Sequence, residues 1–257
     1  MFYRTHIILV LLPILSRGRC PPEYTQLSAD VCMIQLGAAN EFCKACALCS
    51  NYGKQRNQVA FLQGRNVNLL KSVLQTGSAV WTGMHGLLGI PKSPSVAGWR
   101  DLDPRTPEFT SGPDLFKWAP NQPTGSEPHL VFHKHHEVMY DIYSPPLNFT
   151  REVYCEYGEA VPKTDFNVLY RADFPDKFNS IVQPQPDLDG CTLMVKARTK
   201  IDCARRCTLD TACRSIYFNE NERKCIHMQH ADSLLPQKIT ESQEGWSRFA
   251  RTAYGNP

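Results

Sequence analysis

Cysteine is the residue type with the most chemistry to offer in this sequence. The chain carries 11 cysteines in 257 residues. A basic N-terminus, the apolar run Ile7–Leu15 and the small residues Ser16 and Gly18 are typical of a secretory signal peptide over residues 1–18. Because the secretory route is oxidising, thiols there pair into disulfides. We therefore expect a secreted, extracellular protein held by disulfides, in which the odd total leaves at least one cysteine free or bonded to another chain.

Histidine forms the densest polar cluster. His129, His133, His135 and His136 lie within eight residues of sequence. On a strand, His133 and His135 would face the same side, which is an acceptable geometry for Zn²⁺. The plainer interpretation is a surface cluster that becomes charged near about pH 6.

Several classes of function are excluded by what the sequence lacks. It has no Gly-x-Ser-x-Gly elbow, no His-Glu-x-x-His helix and no glycine-rich phosphate loop, so we predict that it is not an enzyme. Its net charge is +3 and its Lys and Arg form no long basic run, which argues against nucleic acid as a partner. No later segment approaches the roughly 20 apolar residues of a membrane span.

The tripeptide Asn148-Phe149-Thr150 is an acceptor sequence for N-glycosylation, with Asn148 as the predicted site. Glycosylation of this kind takes place in the secretory route. The tripeptide is therefore consistent with the predicted extracellular location.

Periodicity predicts the elements that position these residues. Cys20 and Cys32 should close a small hairpin, and Gly53 should end a helix over Ala38–Tyr52. A second helix is predicted over Asn66–Leu74, and Ile90–Pro113, rich in Pro, Gly and Ser, should be a long irregular loop. The predicted strands are Val59–Leu62, Val80–Met84, Leu130–His133, Val138–Tyr143 and Glu152–Glu156.

Residues 19–157 resemble a C-type lectin-like domain. The similarity lies in the N-terminal hairpin, in Val80–Met84 with its Trp and Gly, and in the segment from Phe116 through Trp118 to the Gln-Pro-Thr tripeptide. The resemblance implies an α+β fold with two helices, small antiparallel sheets and a long irregular loop. It also implies disulfides Cys20–Cys32 and Cys49–Cys155.

The resemblance also locates a candidate Ca²⁺ and carbohydrate site. In calcium-dependent members the tripeptide reads Glu-Pro-Asn or Gln-Pro-Asp, whereas here it reads Gln122, Pro123, Thr124. The remaining ligand positions correspond to Glu127, Tyr140 and Asp141. Only two carboxylates are present, and Ca²⁺ prefers about six to eight oxygens, several of them anionic. We therefore expect a degenerate site with weak Ca²⁺ binding at most.

The C-terminal part, residues 187–257, resembles a PAN or apple domain, an antiparallel sheet with one helix. The similarity lies in the spacing of its cysteines and in the segment Gly245–Phe249. The family's pairing implies disulfides Cys203–Cys225 and Cys207–Cys213. Residues 158–186 are predicted to be a linker and the first strand region of this second domain.

Three cysteines remain, Cys43, Cys46 and Cys191. The most economical local pair is Cys43–Cys46. Cys191 is then free or available for an intermolecular bridge, as in a disulfide-linked homodimer.

Together these features predict a secreted, non-catalytic recognition protein. Its partners would be glycans, extracellular proteins or both, bound through a degenerate lectin-like domain and an apple domain. The alternative is an extracellular adhesion or matrix module that binds proteins and no sugar.

Overall fold

The computed structural model describes residues 20–89, 95–143, 148–161, 168–186 and 188–252. They form an α+β fold with two β-sheets, as predicted. The predicted signal peptide lies outside the described residues. Of the helices in the described ranges, none has both the length and the apolar character that crossing a bilayer requires.

The first sheet has seven strands arranged around one central strand. These strands are β1 (Thr25–Gln26), β2 (Cys32–Ala39), β3 (Gln58–Leu62), β4 (Ala79–His85), β5 (His129–His133), β6 (Val138–Ile142) and β7 (Arg151–Ala160). Their order is β1-β2-β7-β4-β5-β6, and β3 also pairs with β7. The long strand β7 therefore joins the N-terminal hairpin to the strands that carry the candidate site.

The second sheet has five strands in the order β8-β12-β10-β11-β9. These are β8 (Tyr170–Arg171), β9 (Cys191–Val195), β10 (Cys213–Asn219), β11 (Lys224–Gln229) and β12 (Trp246–Arg251). Helix α2 (Lys200–Thr208) begins at Thr199, whose hydroxyl accepts the Asp202 N–H and so caps the helix. The cysteines Cys203 and Cys207 are on its buried side.

The first helix is displaced from its predicted bounds. Helix α1 spans Phe42–Gln55, because residues 38 and 39 continue strand β2. Gly53 lies inside the helix and does not end it. A Cβ atom on Gly53 would come within 2.6 Å of the Gln58 carbonyl oxygen, so glycine is needed for the close approach of β3. The chain leaves the helix at Asn57, which has a left-handed φ of 57°.

The prediction for the second helix also needs correction, whereas the predicted long loop is irregular as expected. The predicted second helix is a 3₁₀-helix over Val67–Ser72 and is shorter than Asn66–Leu74. The described part of the predicted long loop is irregular but well packed, since Trp99 is fully buried there. The Ser111 hydroxyl accepts the Trp99 backbone N–H at 3.1 Å, which holds the loop closed. Residues 90–94 of that loop lie outside the described residues.

Five disulfides link ten of the 11 cysteines. Four of them join the predicted pairs: Cys20–Cys32, Cys49–Cys155, Cys203–Cys225 and Cys207–Cys213. The fifth, Cys43–Cys191, contradicts both the predicted Cys43–Cys46 pair and the free or intermolecular Cys191. The fold brings the start of α1 to the start of β9, with 5.5 Å between the two Cα atoms. Cys46, one helical turn later, is buried and remains a free thiol.

The two sheets are held together by packing as well as by this disulfide. The Leu87 carbonyl accepts hydrogen bonds from the Gln183 side chain at 2.8 Å and the Leu234 backbone N–H at 3.2 Å. Arg100 forms an ion pair with Asp176 at 2.7 Å. The two halves of the molecule are therefore in direct contact through backbone, side-chain and covalent links.

Candidate functional site

The Gln-Pro-Thr loop is positioned by backbone hydrogen bonds between the segment before it and strand β6. The Ala119 N–H donates to the Met139 carbonyl at 3.1 Å, and the Met139 N–H donates to the Lys117 carbonyl at 2.8 Å. These bonds hold the start of the loop against β6. The Gln122–Pro123 peptide bond is cis.

Asp141 of β6 is the residue around which the loop closes. Its side chain is buried, and its carboxylate accepts the N–H groups of Thr124 at 2.9 Å and Gly125 at 3.0 Å. The Thr124 hydroxyl lies 2.9 Å from the same carboxylate. In return, the Gln122 side-chain oxygen accepts the Asp141 backbone N–H at 3.1 Å. The loop and the strand therefore satisfy each other's polar groups.

The Thr124 hydroxyl also bridges to the second carboxylate. It lies 2.9 Å from Glu127 Oε2 and 3.2 Å from the Ser126 hydroxyl. Burial raises the pKa of the Glu127 carboxyl, and the nearby Asp141 charge adds to this effect. A hydroxyl has one proton to donate. Thr124 thus sits between two acidic side chains at the place where its oxygen can contact both.

The structure brings together four of the five predicted ligand side chains, but their donor set does not fit Ca²⁺. Gln122 and Thr124 are neutral, and the Asp141 oxygens already accept the backbone N–H groups of Thr124 and Gly125. The Tyr140 ring packs edge-on beside His133, with 4.8 Å between ring centroids. The site therefore offers two carboxylates, where Ca²⁺ prefers more anionic oxygens.

Only His129 of the histidine cluster is buried, whereas His133 is half-buried and His135 and His136 are exposed, as a surface cluster would be. Within the described residues the cluster does not assemble a metal site. His129 is only 2% exposed, its ring lies 4.2 Å from that of Phe42, and burial lowers its pKa to about 3. Strand β5 ends at His133, so His135 lies in the following turn and the two do not share a strand face. Within the described ranges, no group of three potential ligands includes either of them. The zinc hypothesis loses its geometric basis.

Cysteines with His227 form the candidate ligand groups that the described residues do contain. These groups are Cys203, Cys225 and His227, and Cys207, Cys213 and His227. All four cysteines are in disulfides. A metal is bound by the thiolate form, which a disulfide lacks. These groups are therefore structural.

A buried charge network was not predicted. Arg105 pairs with Asp103 and with Glu156, each at 2.8 Å, and Arg65 pairs with Asp101 at 3.2 Å. Burial raises the pKa of Asp101 to about 7. Because Glu156 is on β7 and the two aspartates are on the long loop, the network ties this loop to the sheet. It is consistent with a structural role.

A polar cleft between the two halves was also missed. It has a volume of about 170 Å³ and lies between α1 and the segment that follows α2. Its polar lining comprises Ser50, Asn51, Lys54, Asp210, Thr211, Gln229 and His230. No sequence signal could have found it, since its two walls are about 160 residues apart in the chain and meet only through long-range packing.

Residues 190–253 match the family model of the PAN domain. No curated protein sequence matches the chain at a significant level. The PAN match confirms the prediction for the C-terminal part, and a PAN domain indicates a binding module.

The solved structures that resemble the N-terminal part are C-type lectin-like domains. One is a calcium-independent type II antifreeze protein, with 17% identity and a TM-score of 0.39, over 55% of this chain and 95% of that one. Another is the mouse scavenger receptor C-type lectin carbohydrate-recognition domain, with 18% identity and a TM-score of 0.38, over 55% and 99%. A Ca²⁺-dependent type II antifreeze protein in its Ca²⁺-free form has 16% identity and a TM-score of 0.39, over 53% and 98%. Both calcium-dependent and calcium-independent proteins are thus among these structures.

Proposed function

We propose that this protein is an extracellular, non-catalytic recognition protein that binds glycans or proteins, and that its lectin-like half does so without Ca²⁺. The observation that carries the proposal is the position of the Thr124 hydroxyl, 2.9 Å from both Glu127 and Asp141. The protein's own hydroxyl therefore occupies the space between the two carboxylates that a cation would need.

The acceptor capacity of Asp141 supports this proposal. An ionised carboxylate has roughly four lone-pair sites. Oδ2 accepts the Gly125 N–H and Oδ1 accepts the Thr124 N–H, while the single proton of the Thr124 hydroxyl goes either to Asp141 Oδ2 or to Glu127 Oε2. Two of the sites are therefore filled by backbone groups that no side-chain rotation can remove. A cation would have to displace donors that the fold holds in place.

A second candidate function, protein binding without any sugar, is favoured by strand β9. This strand lies at the edge of the second sheet, and its Leu193 and Met194 side chains are 47% and 68% exposed. Exposed apolar side chains on an edge strand are typical of surfaces that pair with another chain. An extracellular adhesion or matrix module would use this edge.

The extracellular location has its own test in Asn148, which is exposed and therefore accessible to the glycosylation machinery. The secreted protein should lose mass when it is treated with an N-glycosidase. The Asn148→Gln variant should show no such loss.

A glycan array on the secreted protein, run in Ca²⁺ and again in EDTA, tests the main proposal. We expect the same binding in both buffers. The Glu127→Ala/Asp141→Ala variant should lose loop-mediated binding, while Glu108→Ala/Asp114→Ala, which removes two exposed carboxylates elsewhere, should keep it. Binding that EDTA abolishes would refute calcium independence. A folded protein with no glycan signal in either buffer would leave protein binding as the function.

A further inference from the structure

The cleft between the two halves has walls from both of them. Ser50, Asn51 and Lys54 come from α1, and Asp210, Thr211 and Gln229 come from the C-terminal half. A single water needs about 10–15 Å³ of such space, so a cleft of about 170 Å³ is large enough for more than a bridging water. Ligand sites occur preferentially at domain interfaces of this kind.

The covalent link between the halves lies next to this cleft. Cys191 is the cross-strand neighbour of Gln229 in the pairing of β9 with β11. Its disulfide partner, Cys43, is on α1, the helix that forms the opposite wall. The disulfide therefore links the two elements that carry the walls. A site held in this way loses little entropy when a ligand binds.

The wall from the C-terminal half is also fixed by its own backbone. His230 has a left-handed φ of 65°, which is uncommon for a residue other than glycine. Its N–H donates to the Ala212 carbonyl at 2.6 Å, and the Ala212 N–H donates to the Asp210 carboxylate at 3.1 Å. Strained backbone of this kind is enriched at functional sites.

The polar groups of the cleft match a neutral ligand with several hydroxyls. Asn51 and Gln229 each offer an amide that donates and accepts, and Ser50 and Thr211 offer hydroxyls. Lys54 and Asp210 balance each other in formal charge, which disfavours a strongly charged ligand. Gln229 lines the cleft, and its Nε2 has no hydrogen-bond partner among the described residues.

We propose that this cleft binds one neutral saccharide unit of a glycan, without a metal ion. The site is separate from the Gln122–Asp141 loop and uses residues of both halves. The proposal rests on the proposed recognition function and adds a second binding site to it. The experiment below detects a saccharide in the cleft whether or not the Gln122–Asp141 loop binds a ligand.

Saturation-transfer NMR on the full-length secreted protein in EDTA tests the proposal. The probes are the methyl glycosides of galactose, mannose, glucose, fucose and N-acetylglucosamine. We expect at least one of them to bind. The Asn51→Ala/Gln229→Ala variant should bind it about ten-fold more weakly, because it loses two ligand hydrogen bonds. The Thr211→Trp variant, which fills the cleft, should not bind it.

Two control variants distinguish binding in the cleft from binding elsewhere on the protein. Gln55→Ala removes an exposed amide from the same helix outside the cleft and should leave the affinity unchanged. Glu127→Ala/Asp141→Ala removes the loop carboxylates and should also leave it unchanged. Thermal melts establish that each variant is folded.

Three results would overturn the proposal. The first is a folded wild-type protein that binds none of the five glycosides. The second is binding that both cleft variants retain at full strength. The third is binding lost only in the loop variant, which would assign the sugar to the loop and support that site instead.

Discussion

Removal of the Cys43–Cys191 disulfide should destabilise the protein by about 4 kcal/mol in the chain-entropy model. The bond spans 148 residues of sequence. However, the Cys49–Cys155 disulfide shortens the covalent path between residues 43 and 191 in the unfolded chain. This path runs from residue 43 to 49, across the Cys49–Cys155 bond, and from residue 155 to 191. The loop that Cys43–Cys191 closes in the unfolded chain is then roughly 42 residues, for which the model gives about 4 kcal/mol, against about 5 for the full separation.

Urea unfolding of the Cys43→Ala/Cys191→Ala variant measures this loss without introducing a new thiol. In a background that lacks Cys49–Cys155, the same pair of substitutions should cost about 1 kcal/mol more, because the shorter path no longer exists. A loss below about 1 kcal/mol in the intact background would refute the reasoning, as would equal losses in the two backgrounds.

Three further perturbations have defined outcomes. Thr124→Asp places a third carboxylate beside Glu127 and Asp141, so calorimetry of this variant should show stabilisation by Ca²⁺ that is absent in EDTA. At a Ca²⁺ concentration roughly 100 times the Kd, the gain in unfolding free energy should be about 2.7 kcal/mol. A variant whose stability does not respond to Ca²⁺ would contradict this. Burial lowers the pKa of His129 to about 3 from 6.5, so between these values the unfolded chain binds the proton and the folded chain does not. Stability should therefore fall as pH drops below 6.5, by about 2 kcal/mol at about pH 5, and His129→Leu should remove this share of the pH dependence of urea unfolding. Cys46 is 2% exposed and burial raises the pKa of its thiol, so iodoacetamide should label it only after unfolding. Rapid labelling of the native protein would contradict this and would show that the structure around Cys46 opens.

Resemblance to known families, together with the short spacing of Cys20 and Cys32, made four of the disulfides predictable, whereas the fifth depended on how the two halves pack. The pairing of Cys203, Cys207, Cys213 and Cys225 was implied by the resemblance to PAN or apple domains. Cys43 and Cys191 are far apart in sequence and meet because α1 packs near the edge of the second sheet. Sequence reasoning chose the nearest partner, Cys46, because it had no means of placing the two halves against each other.

Gly53 and His129 show the same limit on a smaller scale. Glycine after a helical pattern usually ends the helix, but at Gly53 it permits a close approach by β3. Histidine is usually exposed or partly exposed, but His129 packs against Phe42 in the interior. In both cases the residue type has two common uses, and the tertiary neighbour decides between them.

At the candidate site, the sequence indicated which side chains would meet but not how they would bond. The carboxylates Glu127 and Asp141 were expected to lie close to Thr124, and they do. The sequence showed the loss of a carboxylate or amide at position 124. It did not show that the substituted hydroxyl would bridge the two remaining carboxylates, because that depends on the backbone turn that directs the Thr124 and Gly125 N–H groups at Asp141.

The link between the halves also determines how experiments on fragments should be interpreted. A C-terminal fragment expressed alone would carry Cys191 without its partner Cys43. Its unpaired thiol would then be available to form a disulfide-linked dimer. The intact chain offers no such thiol at this position, because Cys191 is already bonded to Cys43. The same fragment would lack the α1 wall of the cleft, and an N-terminal fragment would lack Asp210, Thr211 and Gln229. Loss of saccharide binding in both fragments, with retention in the full chain, is therefore the pattern that a site shared by the two halves requires.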